Sequence, residues 1–265
     1  MNWRCVRRAR RKRDFIMNVS VVIPARLAST RLPRKVLADL GGKPVLRHVW
    51  DRVARMRRAT EIIVATDSEE VARAVSEWDG RFVMTSPQCR SGTERIASIL
   101  DGLKGQFILN VQGDEPFIEP ALLDSIADCF AAKGGDVVTP VYPIKDAAIL
   151  ANPAVVKVVR AADGRALYFS RSPVPHLRGV PMEQWPARGL HFGHLGVYGY
   201  ARARLAEYGS LPECPLETIE ALEQLRFLEA GWRIQTVETN YHAVAIDTPE
   251  DLVRARALIA GTTAA

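Results

Sequence analysis

Ser20-Val-Val-Ile-Pro-Ala-Arg-Leu-Ala-Ser-Thr-Arg-Leu-Pro-Arg-Lys35 decides how this chain folds. Val21, Val22 and Ile23 are consecutive β-branched residues without polar alternation, the pattern of a short strand buried on both faces. Pro24 is expected to end it. A loop of small residues follows, Ala25, Ala28, Ser29 and Thr30, threaded with Arg26, Arg31, Arg34 and Lys35. Open α/β sheets bind ligands just past the carboxyl ends of their strands. Four cations there suit an anionic ligand; the alternative is a solvated basic loop, the usual fate of a charge run. Neither Gly-x-x-x-x-Gly-Lys-Ser/Thr nor Gly-x-Gly-x-x-Gly occurs in the loop, which argues against a P-loop ATPase and a dinucleotide oxidoreductase. Cations, rather than glycine amides, would have to hold phosphates.

Working outward, Val45, Leu46, Val49, Trp50 and Val53 recur at helical spacing. Ile62–Ala65 reads as a second buried strand. Asp67 and Glu70 have capping-box spacing and open a helix to about Trp78, and Arg81–Met84 is a third strand. This βαβαβ order predicts a mostly parallel sheet flanked by helices. A helix over Glu94–Leu100 and a strand over Phe107–Gln112 follow, the strand ending in the turn Gly113-Asp114-Glu115-Pro116. Pro120 starts a helix, and Val137–Val141 is another strand. The second part is less regular. Strands are expected at Val155–Arg160 and Ala166–Ser170, and Ser172–Phe192, with four prolines, reads as a lid or an oligomer arm. His194–Tyr200 reads as one strand presenting His194, Gly196, Tyr198 and Tyr200 on one face. Leu216–Ala230 reads as a single helix capped by Gly231. Strands at Ile234–Val237 and Val244–Ile246 precede a last helix begun by Asp247-Thr248-Pro249-Glu250.

The 265 residues, 48% hydrophobic and 25% charged, are ordinary for a globular α/β protein. No run approaches the ~18 apolar residues of a membrane span. Residues 1–16 hold seven Lys and Arg against Asp14, so the net charge of +6 belongs to this segment and the body is neutral. That argues against a nucleic-acid partner. The segment is expected to be a disordered extension without chemistry, and no signal peptide is expected, since Asn18 and Ser20 interrupt the apolar run behind it. Cys5, Cys89, Cys129 and Cys214 form no Cys-x-x-Cys, so free thiols in a reducing cytoplasm are expected.

Asp114 and Asp247 each follow an apolar strand. Two strand-end carboxylates can converge on Mg²⁺, which takes one or two carboxylates and completes its shell with water and phosphate oxygens. Alternatively, Asp114 stabilises its turn and Asp247 caps a helix. His194 is either a structural histidine or, sharing a face with Gly196 and Tyr198, a ligand-binding one. Glu220, Glu223 and Gln224 would by spacing alone be a solvated helix face.

Seven motifs occur in order: Pro24-Ala-Arg-Leu-Ala-Ser-Thr-Arg-Leu-Pro-Arg-Lys35, Ser91-Gly-Thr-Glu-Arg95, Asn110-Val-Gln-Gly-Asp-Glu-Pro116, Tyr168-Phe-Ser-Arg171, His194-Leu-Gly-Val-Tyr-Gly-Tyr200, Glu223-Gln-Leu-Arg226 and Asp247-Thr-Pro-Glu-Asp-Leu252. Together, over about Val19 to Leu258, the chain resembles the bacterial CMP-Kdo synthetases, the 3-deoxy-manno-octulosonate cytidylyltransferases. The resemblance implies a Rossmann-like nucleotidyltransferase fold. The nucleotide-binding part would span about 17–141, and a smaller sugar-binding and dimerisation part about 142–265. It implies a cytoplasmic homodimer that transfers CMP from CTP to the sugar acid Kdo, releasing pyrophosphate, with Mg²⁺ as cofactor. It implies nucleotide binding by Ala25, Arg26, Arg31, Lys35, Ser91, Gly92 and Arg95, and a sugar pocket of Gln112, His194, Tyr198, Glu223 and Gln224. Asp114 and Asp247 would carry the metal, and together with Arg26 and Lys35 would be catalytic.

Two positions depart from the family pattern: Arg34 stands where Arg-Leu-Pro-Gly-Lys is usual, and Ala245-Ile246-Asp247 where Gly-Val-Asp is frequent. The Ser172–Phe192 arm is also short. The nearest rival is a cytidylyltransferase for another ulosonic acid, 8-amino-Kdo or a sialic acid; Glu223-Gln-Leu-Arg226 favours Kdo over sialic acids. A sugar-1-phosphate nucleotidyltransferase lacks support because its Gly-rich first loop is missing. A CTP sensor without activity is opposed by the intact Asp114 and Asp247.

Overall fold

In the computed structural model, residues 17–29 and 31–263 are described; the basic segment 1–16, with its expected disorder, lies outside them. The opening stretch forms β1 (Val19–Ala25), and Val21, Val22 and Ile23 are fully buried. It lies between β2 (Ala59–Thr66) and β4 (Phe107–Asn110), parallel to both. Such a strand is stable only with helices on both faces. Val19, Val21 and Ile23 pack among Leu46, Val49 and Val53 of α1 (Val45–Val53), Val71 and Val75 of α2 (Glu69–Ser76), and Leu122 and Ile126 of α4 (Pro120–Lys133). Val22 faces the other way, onto Ile96 of α3 (Gly92–Ala97). At roughly 1.5–3 kcal/mol for each fully buried Val or Ile side chain, this strand anchors the domain.

Pro24 does not end β1, which runs on to Ala25 paired with β2. The carbonyl of Val22 accepts from Val111, so Val22 and, two residues on, Pro24 face the β4 side. Pairing with β4 stops at Val22–Asn110, and the N–H that proline lacks is not required there.

The remaining elements are β3 (Phe82–Met84), β5 (Val137–Pro143), α5 (Ala147–Ala151), β6 (Lys157–Arg160), β7 (Ala166–Ser170), β8 (Phe192–His194), β9 (Tyr198–Ala201), α6 (Arg202–Glu207), α7 (Pro215–Glu220), α8 (Gln224–Glu229), β10 (Ile234–Glu238) and α9 (Pro249–Thr263). The sheet order is β3-β2-β1-β4-β9-β5-β8-β6-β7, with β10 paired to β5. β1 to β6 and β10 run one way and β7, β8 and β9 the other, so the sheet is mostly parallel by direction but mixed in its pairings.

Four local expectations are corrected. The cap of α2 is Ser68, whose Oγ accepts from Val71 N, rather than Asp67. His194–Tyr200 is not one strand: it breaks into β8 and β9, because the hydroxyl of Thr139 on β5 meets the carbonyls of Leu195 and Val197 between them. Leu216–Ala230 is not one helix: Ala221 turns left-handed (φ 51°) between α7 and α8. There Arg171 donates to the carbonyls of Glu220 and Ala221, and the Glu220 carboxylate accepts from Ser170 Oγ and Arg171 N. Val244–Ile246 is irregular rather than a strand; Ile246 N donates to the carbonyl of Asp114 instead of to a sheet neighbour. The Ser172–Phe192 segment folds back on the body through Trp185, which packs with Ile144 and Leu150 and donates to the carbonyl of Val180.

Candidate active site

The loop after β1 turns back on itself at Arg34, whose N–H donates to the carbonyl of Leu27. Arg34 has φ 61°, a left-handed conformation. Glycine adopts it without steric cost, whereas a side chain costs roughly 1–2 kcal/mol. The path usual for glycine is thus kept in spite of the side chain, which lies over Glu70 as an ion pair. The next residue, Lys35, opens a short 3₁₀ turn with only 16% of its side chain exposed.

Lys35 Nζ donates to both Asp114 Oδ2 and Asp247 Oδ1, the latter at 2.8 Å, while Arg31 pairs with Asp247 Oδ2 at 3.1 Å. Two carboxylates from distant stretches therefore meet on one ammonium. Asp247 is free to do so because it does not cap α9. Thr248 Oγ1 accepts from Asp251 N, and the Asp251 carboxylate accepts from Asp247 N and Thr248 N, so Thr248 and Asp251 form the capping box. Burial works against the Lys35 charge, but Asp114 and Asp247 outweigh it and hold its pKa above the ordinary value. Next to Asp114, burial and then the Asp114 charge push Glu115 up to about 7.

Above this cluster is a cavity of about 120 Å³ lined by Ala25, Arg26, Lys35, Ser91, Gly92, Arg95, Gln112 and Asp114. Ser91 Oγ caps α3 by accepting from Glu94 N, and Gly92 sits where a Cβ would come within 3.2 Å of Pro24. Arg95, 2% exposed, is held by Asp67 at 2.8 Å and by Thr85. Arg31 lies at the cluster but does not line the cavity.

A second cavity, about 460 Å³, lies between Tyr142, Val156, His194, Gly196, Tyr198 and Gln224. Its volume is in the range of small-molecule sites. Burial lowers His194 to about 3, so the ring is neutral. Its Nε2 lies 2.9 Å from Thr139 Oγ1, whose single proton goes to the carbonyl of Leu195 or Val197; Nε2 is therefore the donor and Nδ1 keeps its lone pair. Tyr198 donates to Gln224 Oε1 at 3.0 Å, and the buried Gln224 Nε2 has no hydrogen-bond partner. The five residues expected around a sugar thus divide. His194, Tyr198 and Gln224 line the second cavity. Gln112 lines the first, donating to Asn110. Glu223 lines neither; it faces a third cavity of about 620 Å³ together with Ser91 and Tyr208, and accepts from Ser91, Thr93 and Tyr208.

Sequence reasoning missed Thr93, Thr139, Asp67 and Tyr208. Thr93 and Arg171 lie within recognised motifs, but nothing local marks Tyr208 or Thr139. Cys89, Cys129 and Cys214 are free thiols. No helix among the described residues is long and apolar enough to cross a membrane.

Comparison with known proteins matches residues 20–235 to the family model described as "Cytidylyltransferase". The chain belongs to the cytidylyltransferase family. It is 43% identical over 249 residues to the 3-deoxy-manno-octulosonate cytidylyltransferase of Geobacter sulfurreducens, covering 89% of this chain and 97% of that protein. It is 44% identical over 246 residues to the enzyme of that name from Geobacter metallireducens, covering 89% and 95%. Among solved structures it resembles CMP:2-keto-3-deoxy-manno-octonic acid synthetase complexed with CTP. The TM-score is 0.87 at 37% identity, over 92% of this chain and 99% of that one. The cytidylyltransferase family and the nucleotidyltransferase fold expected from the seven motifs are both found.

Proposed function

We propose that this cytidylyltransferase transfers CMP from CTP to the anomeric hydroxyl of 3-deoxy-manno-octulosonate, giving CMP-Kdo and pyrophosphate. The observation that carries the reading is the meeting of Asp114 and Asp247 at Lys35, at a cation-lined cavity, in a chain that also holds a sugar-sized one. The names borne by relatives above 40% identity over nearly their whole length support the substrate.

In this reading Arg26, Arg31 and Lys35 bind the triphosphate, and Ala25, Ser91, Gly92 and Arg95 surround the nucleotide. Charge decides much of the chemistry, since phosphoryl transfer is mostly positioning and neutralisation. CTP and a sugar acid bring about five negative charges, which four side-chain cations do not balance, since Arg31, Lys35 and Arg95 are already paired with carboxylates. Asp114 and Asp247 are hard oxygen donors that meet at one point, a set that fits Mg²⁺. When bound there, Mg²⁺ would supply the missing positive charge and favour the ionised form of the acceptor hydroxyl. In the second cavity the unpartnered Gln224 Nε2 would donate to a sugar oxygen and His194 Nδ1 would accept from a hydroxyl. Gln112 and Glu223 would complete the contacts to the sugar. The nucleotide-binding share is then about 17–141 and the sugar-binding share about 142–265.

We also read the chain as a cytoplasmic homodimer. The terminal strand β7 leaves Leu167 half-exposed, and α7, tied to it by Glu220 and Ser170, leaves Ile219 80% exposed. A second copy would cover them. Sedimentation at micromolar concentration tests this, and a monomer at every concentration would refute it.

The test of function is pyrophosphate release with CTP and a panel of Kdo, 8-amino-Kdo and N-acetylneuraminate. A site that hydrogen-bonds hydroxyls discriminates by up to ~10⁴-fold. Kdo is expected to have the highest kcat/KM; a preference for the sialic acid would overturn the assignment.

A further inference from the structure

Three hydroxyls converge on the carboxylate of Glu223. Tyr208 donates to Oε1 at 2.7 Å, Ser91 to the same oxygen at 3.1 Å, and Thr93 to Oε2 at 2.7 Å. The Tyr208 hydroxyl is also 3.3 Å from Ser91 Oγ. Ser91 and Gly92 form the wall of the first cavity, whereas Gln224, the residue after Glu223, forms the wall of the second. Tyr208 lines neither, but with Ser91 and Glu223 it borders the third cavity of about 620 Å³. It is 5% exposed, and its ring lies edge-on to Phe227 of α8 at 6.2 Å. Its phenol is therefore fixed by packing while its hydroxyl spans the start of α3 and the start of α8.

Proton accounting makes this arrangement directional. Ser91 Oγ accepts from Glu94 N and gives its one proton to Glu223. Tyr208 likewise has one proton, and the shorter of its two contacts takes it to Glu223. Burial, and then the Glu223 charge, hold the phenol well above its ordinary pKa, so it stays a donor at any working pH. Because Ser91 contacts both the first cavity and Glu223, and Glu223 directly precedes Gln224, a shift of Ser91 would change the donors of Glu223 and reach Gln224.

We propose that Tyr208 is a positioning residue that couples the two cavities, holding Glu223 against Ser91 so that nucleotide in the first strengthens binding of the sugar acid in the second. This rests on the function proposed above. The effect is a coupling free energy and so must be reciprocal between the two ligands.

The experiment measures Kdo affinity by calorimetry with and without a non-hydrolysable CTP analogue and Mg²⁺, in wild type and Tyr208→Phe. The variant keeps the ring packing and removes the one hydroxyl. In wild type the analogue is expected to tighten Kdo binding at least fivefold; in Tyr208→Phe this gain falls below twofold. The KM for Kdo rises about tenfold, and affinity for the analogue alone changes less than threefold. A wild type whose Kdo affinity ignores the analogue overturns the proposal without recourse to any variant. So does a folded Tyr208→Phe enzyme that keeps the full gain. A protein that binds neither Kdo nor the analogue would instead overturn the functional reading itself.

Discussion

The backbone N–H of Ile246 donates to the carbonyl oxygen of Asp114 across 2.9 Å. This bond joins the turn after β4 to the stretch before α9, and it sets the adjacent Asp247 carboxylate against the same lysine that Asp114 meets. Had Val244–Ile246 paired as a strand, this N–H could have belonged to a ladder instead.

Asp114→Asn and Asp247→Asn should each lower kcat by more than ~100-fold at saturating Mg²⁺ while the protein stays folded, because the amide keeps shape but removes charge. If both act at one point, the double variant should be little worse than the worse single one. Thr248→Ala separates the neighbouring role: it should cost about 1 kcal/mol of stability through the lost cap and leave most of the turnover. An Asp247→Asn enzyme with normal kcat would remove that residue from the site.

Arg34→Gly should change stability little, between about 1 kcal/mol lost and about 1.5 kcal/mol gained. Relief of the left-handed strain, roughly 1–2 kcal/mol, exceeds the exposed Glu70 ion pair, at most about 1 kcal/mol. Greater freedom of the unfolded chain takes back about 0.4–1 kcal/mol. Arg34→Val should instead destabilise, since a β-branched residue tolerates this conformation poorly. Urea denaturation measures both, and a glycine variant more than 1 kcal/mol less stable would contradict the argument.

His194 gives the stability a pH dependence of known sign. Its folded pKa of about 3 lies below the ordinary 6.5, so the folded state binds fewer protons than the unfolded one. Its contribution is therefore complete above about pH 6.5 and is lost as pH falls toward 3. Glu115, raised to about 7, works the other way in the same window, so the His194 share, about 1–2 kcal/mol between pH 8 and pH 5 with the ring edge partly open to the second cavity, is read as the difference between wild type and His194→Asn. His194→Asn should remove that share, raising stability at pH 5 relative to pH 8 compared with wild type. An unchanged slope would mean that other groups carry it.

Arg171→Ala should raise the KM for Kdo at least tenfold with a smaller effect on kcat. The guanidinium holds the carbonyls of Pro153, Glu220 and Ala221, and through them the break that starts α8 at Gln224. CTP affinity should be unaltered. Equal losses of CTP and Kdo affinity would point to general unfolding of this region.

The sequence by itself determined the parallel half of the sheet, because Val21, Val22, Ile23 and the strands at Ile62–Ala65 and Phe107–Asn110 are apolar runs that only a doubly covered sheet can hide. That cations and carboxylates follow those strands is legible too, since the polar runs Arg26–Lys35 and Gly113–Glu115 come shortly after the apolar ones. The exception at Arg34 kept its backbone path because neighbouring bonds outweigh a strain of 1–2 kcal/mol. Only the tertiary structure decided which strand-end groups meet. Periodicity over Leu216–Ala230 reports a helix face, but not that Arg171, some fifty residues earlier, captures two of its carbonyls and turns Ala221 left-handed. The spacing before α9 permits either Asp247 or Thr248 as its cap. In the fold Thr248 takes the cap while Lys35 and Arg31 hold the Asp247 carboxylate. Glu223 reads as a solvated residue until the helix break turns it toward three hydroxyls from α3 and Tyr208. Local patterns encode burial and chain direction, whereas hydrogen-bond partners distant in sequence exist only once the sheet has brought them together.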